Sequence, residues 1–124
     1  MVRKLLYVDD ELESRFVVAD YLRSLGYDMF TVERAKDALR VAGEVALDAI
    51  ILDINLVDEN GFELMSTLAA KHPSVPIILY SGMQADNARV KGMLMHGARQ
   101  FVCKNDPMES LVRAIQKVLQ GDSG

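Results

Sequence analysis

Ala49-Ile50-Ile51-Leu52-Asp53 is the stretch whose reading decides the fold. Four apolar residues, two of them β-branched, run without interruption into a carboxylate. An apolar run with no polar alternation is the pattern of a strand buried on both faces, and such strands lie mid-sheet under helices. Asp53 then stands at the carboxyl end of a central strand, the edge where open α/β sheets place their ligand sites. Earlier, Lys4-Leu5-Leu6-Tyr7-Val8 leads into Asp9-Asp10 in the same way. Two strands side by side that both end in acid crowd three carboxylates into one pocket. That is unfavourable unless a cation or protons neutralise the charge.

On either side of this strand the chain alternates between two periodicities. Val18, Leu22 and Leu25, at i, i+4 and i+7, predict a helix that Gly26 stops. Met29 to Val32 reads as a short strand, and Ala35, Ala38, Leu39 and Ala42 predict a helix over roughly Arg34 to Gly43. Past Asp53, Asn60 as N-cap with Glu63 three residues on predicts a helix that carries Leu64, Met65 and Leu68 and ends before His72-Pro73. Pro76-Ile77-Ile78-Leu79-Tyr80 is a fourth strand, with proline at its first residue, and it delivers Ser81-Gly82 to the same sheet edge. A weaker helix over about Asp86 to His96, broken at Gly92, precedes a fifth strand, Gln100-Phe101-Val102-Cys103, which delivers Lys104. Asp106 as N-cap, Pro107 at N1 and Glu109 at N3 open the last helix, with Leu111, Ala114, Ile115 and Val118 as its inward stripe. Five successive β-α units predict an α/β fold with parallel strands joined by right-handed helical crossovers. They read as one domain over residues 1–120, with 121–124 a tail or the start of a linker.

Composition narrows the function. A net charge of −4 gives no general attraction to nucleic acid or to an anionic membrane. No apolar run is long enough to span a bilayer and no signal-peptide pattern opens the chain, so a cytoplasmic protein is expected. Cys103 is the only cysteine, which excludes an internal disulfide, and it reads as a small buried strand residue. His72 and His96 fall near helix ends and read as surface residues.

Asp9, Asp10, Asp53, Ser81 and Lys104 all follow strands at one edge. Three carboxylates make a hard, oxygen-only site suited to Mg²⁺. No histidine or further cysteine lies near enough in sequence to suggest zinc or copper. Mg²⁺, a lysine ammonium and a hydroxyl together suit a phosphoryl group, with a carboxylate as nucleophile. Asp53 is the best nucleophile candidate, since the central strand holds it and leaves Asp9 and Asp10 for metal. The bland alternative is a buried Asp–Lys ion pair without chemistry, which leaves two acids unneutralised.

Val8-Asp9-Asp10, Leu52-Asp53-Ile54-Asn55-Leu56 with Gly61 eight residues past the aspartate, Tyr80-Ser81-Gly82, and Gly97-Ala98 followed by Phe101-Val102-Cys103-Lys104 stand in order along nearly the whole chain. Together with Arg15 and Gly26-Tyr27, they resemble the receiver domain of bacterial two-component response regulators. The resemblance implies a flavodoxin-like, doubly wound (βα)5 three-layer sandwich with strand order 2-1-3-4-5. It also implies phosphotransfer to Asp53 from a sensor histidine kinase or a histidine phosphotransfer protein. Asp10 and Asp53 would ligate Mg²⁺ directly, Asn55 through its backbone carbonyl and Asp9 through water. Ser81 and Lys104 would bind phosphoryl oxygens. Ser81 and Phe101 would form the switch, acting on a face built by helix 4, strand 5 and helix 5 that could also make a homodimer.

Two positions depart from the family pattern. Asn105 stands where a proline with a cis bond commonly follows the lysine, so the loop after Lys104 is expected to be built differently. Val57 stands where a proline is often found four residues past the aspartate. Other classes fit less well. An aspartyl-phosphate hydrolase usually has a second acid two residues after its nucleophile, where this chain has Asn55. Only slow self-phosphorylation and self-dephosphorylation are therefore expected, and no enzyme in the ordinary sense. A flavodoxin-like electron carrier needs a phosphate-binding loop where Asp9-Asp10-Glu11 would repel phosphate. A receiver-like module that is never phosphorylated would not need the full set of acceptor and metal groups.

Overall fold

Alternation along the strands sorts the chain into three layers. The computed structural model describes residues 2–54, 61–82 and 87–121, with 87–90 as backbone only. Its elements are β1 (Lys4–Val8), α1 (Leu12–Ser24), β2 (Asp28–Val32), α2 (Ala35–Glu44), β3 (Ala49–Leu52), α3 (Gly61–Lys71), β4 (Ile77–Ser81), α4 (Asn87–Met95), β5 (Ala98–Cys103) and α5 (Met108–Leu119). All strand pairs are parallel, in the order β2-β1-β3-β4-β5 that the resemblance implies. Leu6, Val8, Ile50, Leu52, Ile77 and Leu79 share one core with Ala38, Leu64, Leu68 and Met93 of α2, α3 and α4. The intervening residues Leu5, Tyr7, Ala49, Ile51, Ile78 and Tyr80 share a second core with Val18, Leu22, Leu111 and Ile115 of α1 and α5. Successive side chains of a strand point to opposite faces, so each central strand feeds both cores. β3 is buried at every residue, as its unbroken apolar run requires.

Several boundaries differ from expectation for local physical reasons. Val18 and Leu22 are buried, but Leu25 is 50% exposed because it lies past the last turn of α1. Gly26, at φ +99°, donates to the Arg23 carbonyl at 3.0 Å, and Tyr27 donates to the Leu22 carbonyl at 3.2 Å. This is the Schellman pattern that a glycine in the left-handed region permits. α4 runs through Gly92 without a break, although glycine there costs about 1 kcal/mol relative to alanine. Met93, wholly buried in the first core, anchors it.

β5 begins at Ala98, two residues earlier than expected. Ile77 pairs with Ala98 and Ile78 with Gln100, so the register slips at Arg99, as at a β-bulge. α5 starts at Met108 with Pro107 in the capping position (φ −57°, ψ 150°), which corrects the assignment of Asp106 as N-cap and Pro107 as N1. A turn closed by the Asp106 N–H on the Cys103 carbonyl, at 3.0 Å, takes up Asp106 before the helix begins. Cys103, on the edge strand, is half-buried rather than buried, and so is His72, while His96 is exposed. Asn60, the expected cap of α3, lies outside the described residues. The first residue of α3 must be small, since a Cβ on Gly61 would stand 2.7 Å from the Ile54 carbonyl oxygen.

Candidate functional site

The ladder continues past the strand ends and carries the acids into register. The Asp53 N–H donates to the Val8 carbonyl at 2.9 Å, the Asp9 N–H to the Val32 carbonyl at 3.1 Å, and the Lys104 N–H to the Ser81 carbonyl at 2.8 Å. Asp9 and Asp53 fall two residues after Tyr7 and Ile51, and Lys104 two after Val102, all members of the second core. One oxygen from each of Asp9, Asp10 and Asp53 lies within 4.8 Å of the others. Asp9 is wholly buried, Asp53 is 5% exposed and Asp10 is half-buried.

The Lys104 Nζ donates to Asp9 Oδ2 at 2.6 Å and to Asp53 Oδ2 at 3.0 Å. One ammonium therefore bridges two of the three carboxylates, and the ion pair of the bland alternative is present. Asp9, Asp10 and Asp53 each still offer a carboxylate oxygen to one shared position, and such hard donors fit a divalent cation such as Mg²⁺. Ser81 is wholly buried at the end of β4. Phe101, opposite Leu79, is half-buried and packs against the core shared by α2, α3 and α4. Asn55, expected to offer a backbone carbonyl, lies outside the described residues, as does Val57.

Five contacts escaped the sequence reading. The Tyr7 hydroxyl donates to Asp9 Oδ2 at 2.5 Å, and the Glu11 N–H donates to Asp9 Oδ1 at 2.9 Å. Arg15 Nη1 donates to the Asp9 carbonyl oxygen at 2.7 Å and ties α1 to the acidic turn. The Tyr80 ring meets Tyr7 edge-on, with centroids 6.1 Å apart, and lies 5.8 Å from Lys104 Nζ. The signal for Tyr7 was available, because residues two apart on a strand share a face. Around Lys104 the peptide bonds are trans, as they are throughout the described residues. Asn105 donates its side-chain amide to the Gly82 carbonyl at 3.3 Å, so the loop after the lysine is tied to β4.

Burial alone would lower the pKa of the Lys104 ammonium, but its hydrogen bonds to Asp9 and Asp53 and their charges outweigh burial and raise it. Burial pushes the Tyr7 hydroxyl upward, and its hydrogen bond to Asp9 adds to the effect. Burial also raises Tyr80, partly offset by the Lys104 charge. In each case the folded state keeps a proton that the unfolded chain gives up near pH 10 to 10.5, the ordinary values of tyrosine and lysine. Stability is therefore retained below that range and falls as pH rises through it. Urea denaturation at pH 9 and pH 11 checks this. The fall should be shallower in Tyr7→Phe, and equal slopes would contradict the assignment to Tyr7.

A family model of the response regulator receiver domain matches residues 5–116. The chain belongs to this family. The match places it among the receiver domains of two-component systems. The regulatory protein VirG of Rhizobium radiobacter is 29% identical over 119 residues, which cover 96% of this chain and 44% of VirG. The regulatory protein VanR of Enterococcus faecium is 32% identical over 114 residues, covering 91% of this chain and 48% of VanR. The receiver thus spans less than half the length of these relatives. In fold it matches a CheY-like receiver domain protein from Methanospirillum hungatei, with a TM-score of 0.91 at 22% identity over 98% of this chain and 97% of the other. The response regulator TrrA of Thermotoga maritima, solved in complex with Mg²⁺-BeF, matches with a TM-score of 0.84 at 26% identity, covering 94% and 99%.

Proposed function

We propose that this receiver accepts a phosphoryl group on Asp53, in a Mg²⁺-dependent transfer from a sensor histidine kinase or a histidine phosphotransfer protein. The observation that carries this reading is the buried Asp53 carboxylate held 3.0 Å from the Lys104 ammonium, inside a cluster of acids. An Asp53 oxygen attacks phosphorus, the phosphorus–nitrogen bond of the donor breaks, and the imidazole leaves with the bond's electron pair. Bound Mg²⁺ supplies charge neutralisation for the phosphoryl oxygens. Asp10 and Asp53 would hold it with the Asn55 carbonyl, and Asp9 would reach it through water. Lys104 and Ser81 neutralise and hydrogen-bond the phosphoryl oxygens. The domain is a regulatory acceptor rather than an enzyme, because Asn55 stands where a hydrolase has its second acid. Among the described residues no helix is long and apolar enough to cross a membrane, and a cytoplasmic place fits this role. The net charge argues against direct nucleic-acid binding.

Intact-mass measurement after incubation with acetyl phosphate tests the reading. One base-labile phosphoryl group per chain is expected with Mg²⁺ and none with EDTA. No addition in Mg²⁺ would contradict it.

The signal leaves through α4, β5 and α5, a face that also suits a homodimer. Ser81 and Phe101 are the expected relay. Of the methionines on α4, Met93 is core, whereas Met95 is 82% exposed beside Leu94 at 36%. Met83 lies outside the described residues. Amide exchange should change across α4 and β5 when a beryllofluoride mimic binds. Changes confined to the neighbourhood of Asp53 would sink this route.

A further inference from the structure

Tyr7 is wholly buried, and its edge contact with Tyr80 fixes where its hydroxyl sits. Phenylalanine would fill the same space, and a buried hydroxyl is costly unless it is hydrogen-bonded. Here it donates to Asp9 Oδ2, the oxygen that also accepts the Lys104 ammonium at 2.6 Å. The other oxygen of Asp9 is engaged by the Glu11 N–H. Asp9 is wholly buried, so bulk solvent does not reach the oxygen that the lysine holds.

We propose that Tyr7 is a positioning residue whose hydroxyl keeps Asp9 Oδ2 satisfied when the Lys104 ammonium moves from Asp9 to the phosphoryl oxygens. This rests on the phosphoryl-acceptor reading above. With the hydroxyl present, the lysine leaves behind an oxygen that still has a donor. With the hydroxyl removed, the lysine is the last donor to that oxygen among the described residues, and its release becomes harder. Tyr7 therefore acts on binding of the phosphoryl group through Lys104, and it leaves the metal-binding acids in place.

The probe is fluoroberyllate in saturating Mg²⁺, followed by fluorine-19 NMR, with Mg²⁺ alone titrated separately by calorimetry. Tyr7→Phe should weaken fluoroberyllate about ten-fold while the Mg²⁺ dissociation constant stays within about two-fold. In a Lys104→Met background, Tyr7→Phe should have little further effect, since no ammonium then leaves Asp9. A merely structural role would lower the melting temperature and leave fluoroberyllate affinity unchanged, or weaken both ligands equally. Either result would overturn the proposal, as would additive effects of the two substitutions. Failure of the wild-type protein to bind fluoroberyllate would instead overturn the acceptor reading, and the role of Tyr7 with it.

Discussion

Lys104→Met is expected to destabilise the metal-free protein by about 3 kcal/mol, toward the lower end for breaking a buried ion pair because the lysine is partly exposed. Its side chain is 18% exposed, whereas those of Asp9 and Asp53 are 0% and 8% exposed. The cost falls on these two acids, which would lose the ammonium that bridges them while still facing each other and Asp10. Millimolar Mg²⁺ should recover a large share of it, because a cation that binds only the folded cluster stabilises by mass action and takes over the neutralising role. Urea denaturation in EDTA and in Mg²⁺ reads both effects. Wild-type stability of Lys104→Met in EDTA would show that the ammonium does not hold the cluster together.

Asp53→Asn is expected to abolish phosphorylation. A carboxamide offers no anionic oxygen for attack on phosphorus, and no other acid occupies the end of the central strand. Asp10→Asn keeps the acceptor but removes a charged oxygen from the metal set, so it should be labelled slowly rather than not at all. Intact mass after exposure to acetyl phosphate and Mg²⁺ distinguishes the two. An Asp53→Asn protein that gains a base-labile phosphoryl group as wild type does would place the acceptor elsewhere.

The features that proved legible are those that rest on a regular pattern along a strand or a helix. Ile50, Ile51 and Leu52 announce a strand covered on both faces, and Asp53, Ser81 and Lys104 announce what the strands deliver. Helical i, i+4 spacing carried the positions of Ala38, Ala42, Leu111 and Ile115, all buried as expected. What was hidden depends on single hydrogen bonds or on breaks in the pattern. Arg99 interrupts the apolar run of β5, so the two residues ahead of Gln100 do not read as strand. Pro107 has a fixed φ but a free ψ, and only the turn back to Cys103 decides that it caps α5 instead of entering it. Leu25 follows the helical spacing but lies where the chain has already turned. Gly92 weakens α4 locally, yet the burial of Met93 overrides it. Tyr7 looks like one more core residue of β1, and its hydroxyl gains meaning only once Asp9 and Lys104 stand beside it.

The most direct test of the central claim is to locate the phosphoryl group chemically. Borohydride reduces an acyl phosphate on aspartate to homoserine, which survives digestion and peptide mass spectrometry. After acetyl phosphate and Mg²⁺, homoserine should appear at position 53 and should be absent when EDTA replaces Mg²⁺. Homoserine at position 9 or 10 instead, or equal labelling with and without the metal, would contradict the account.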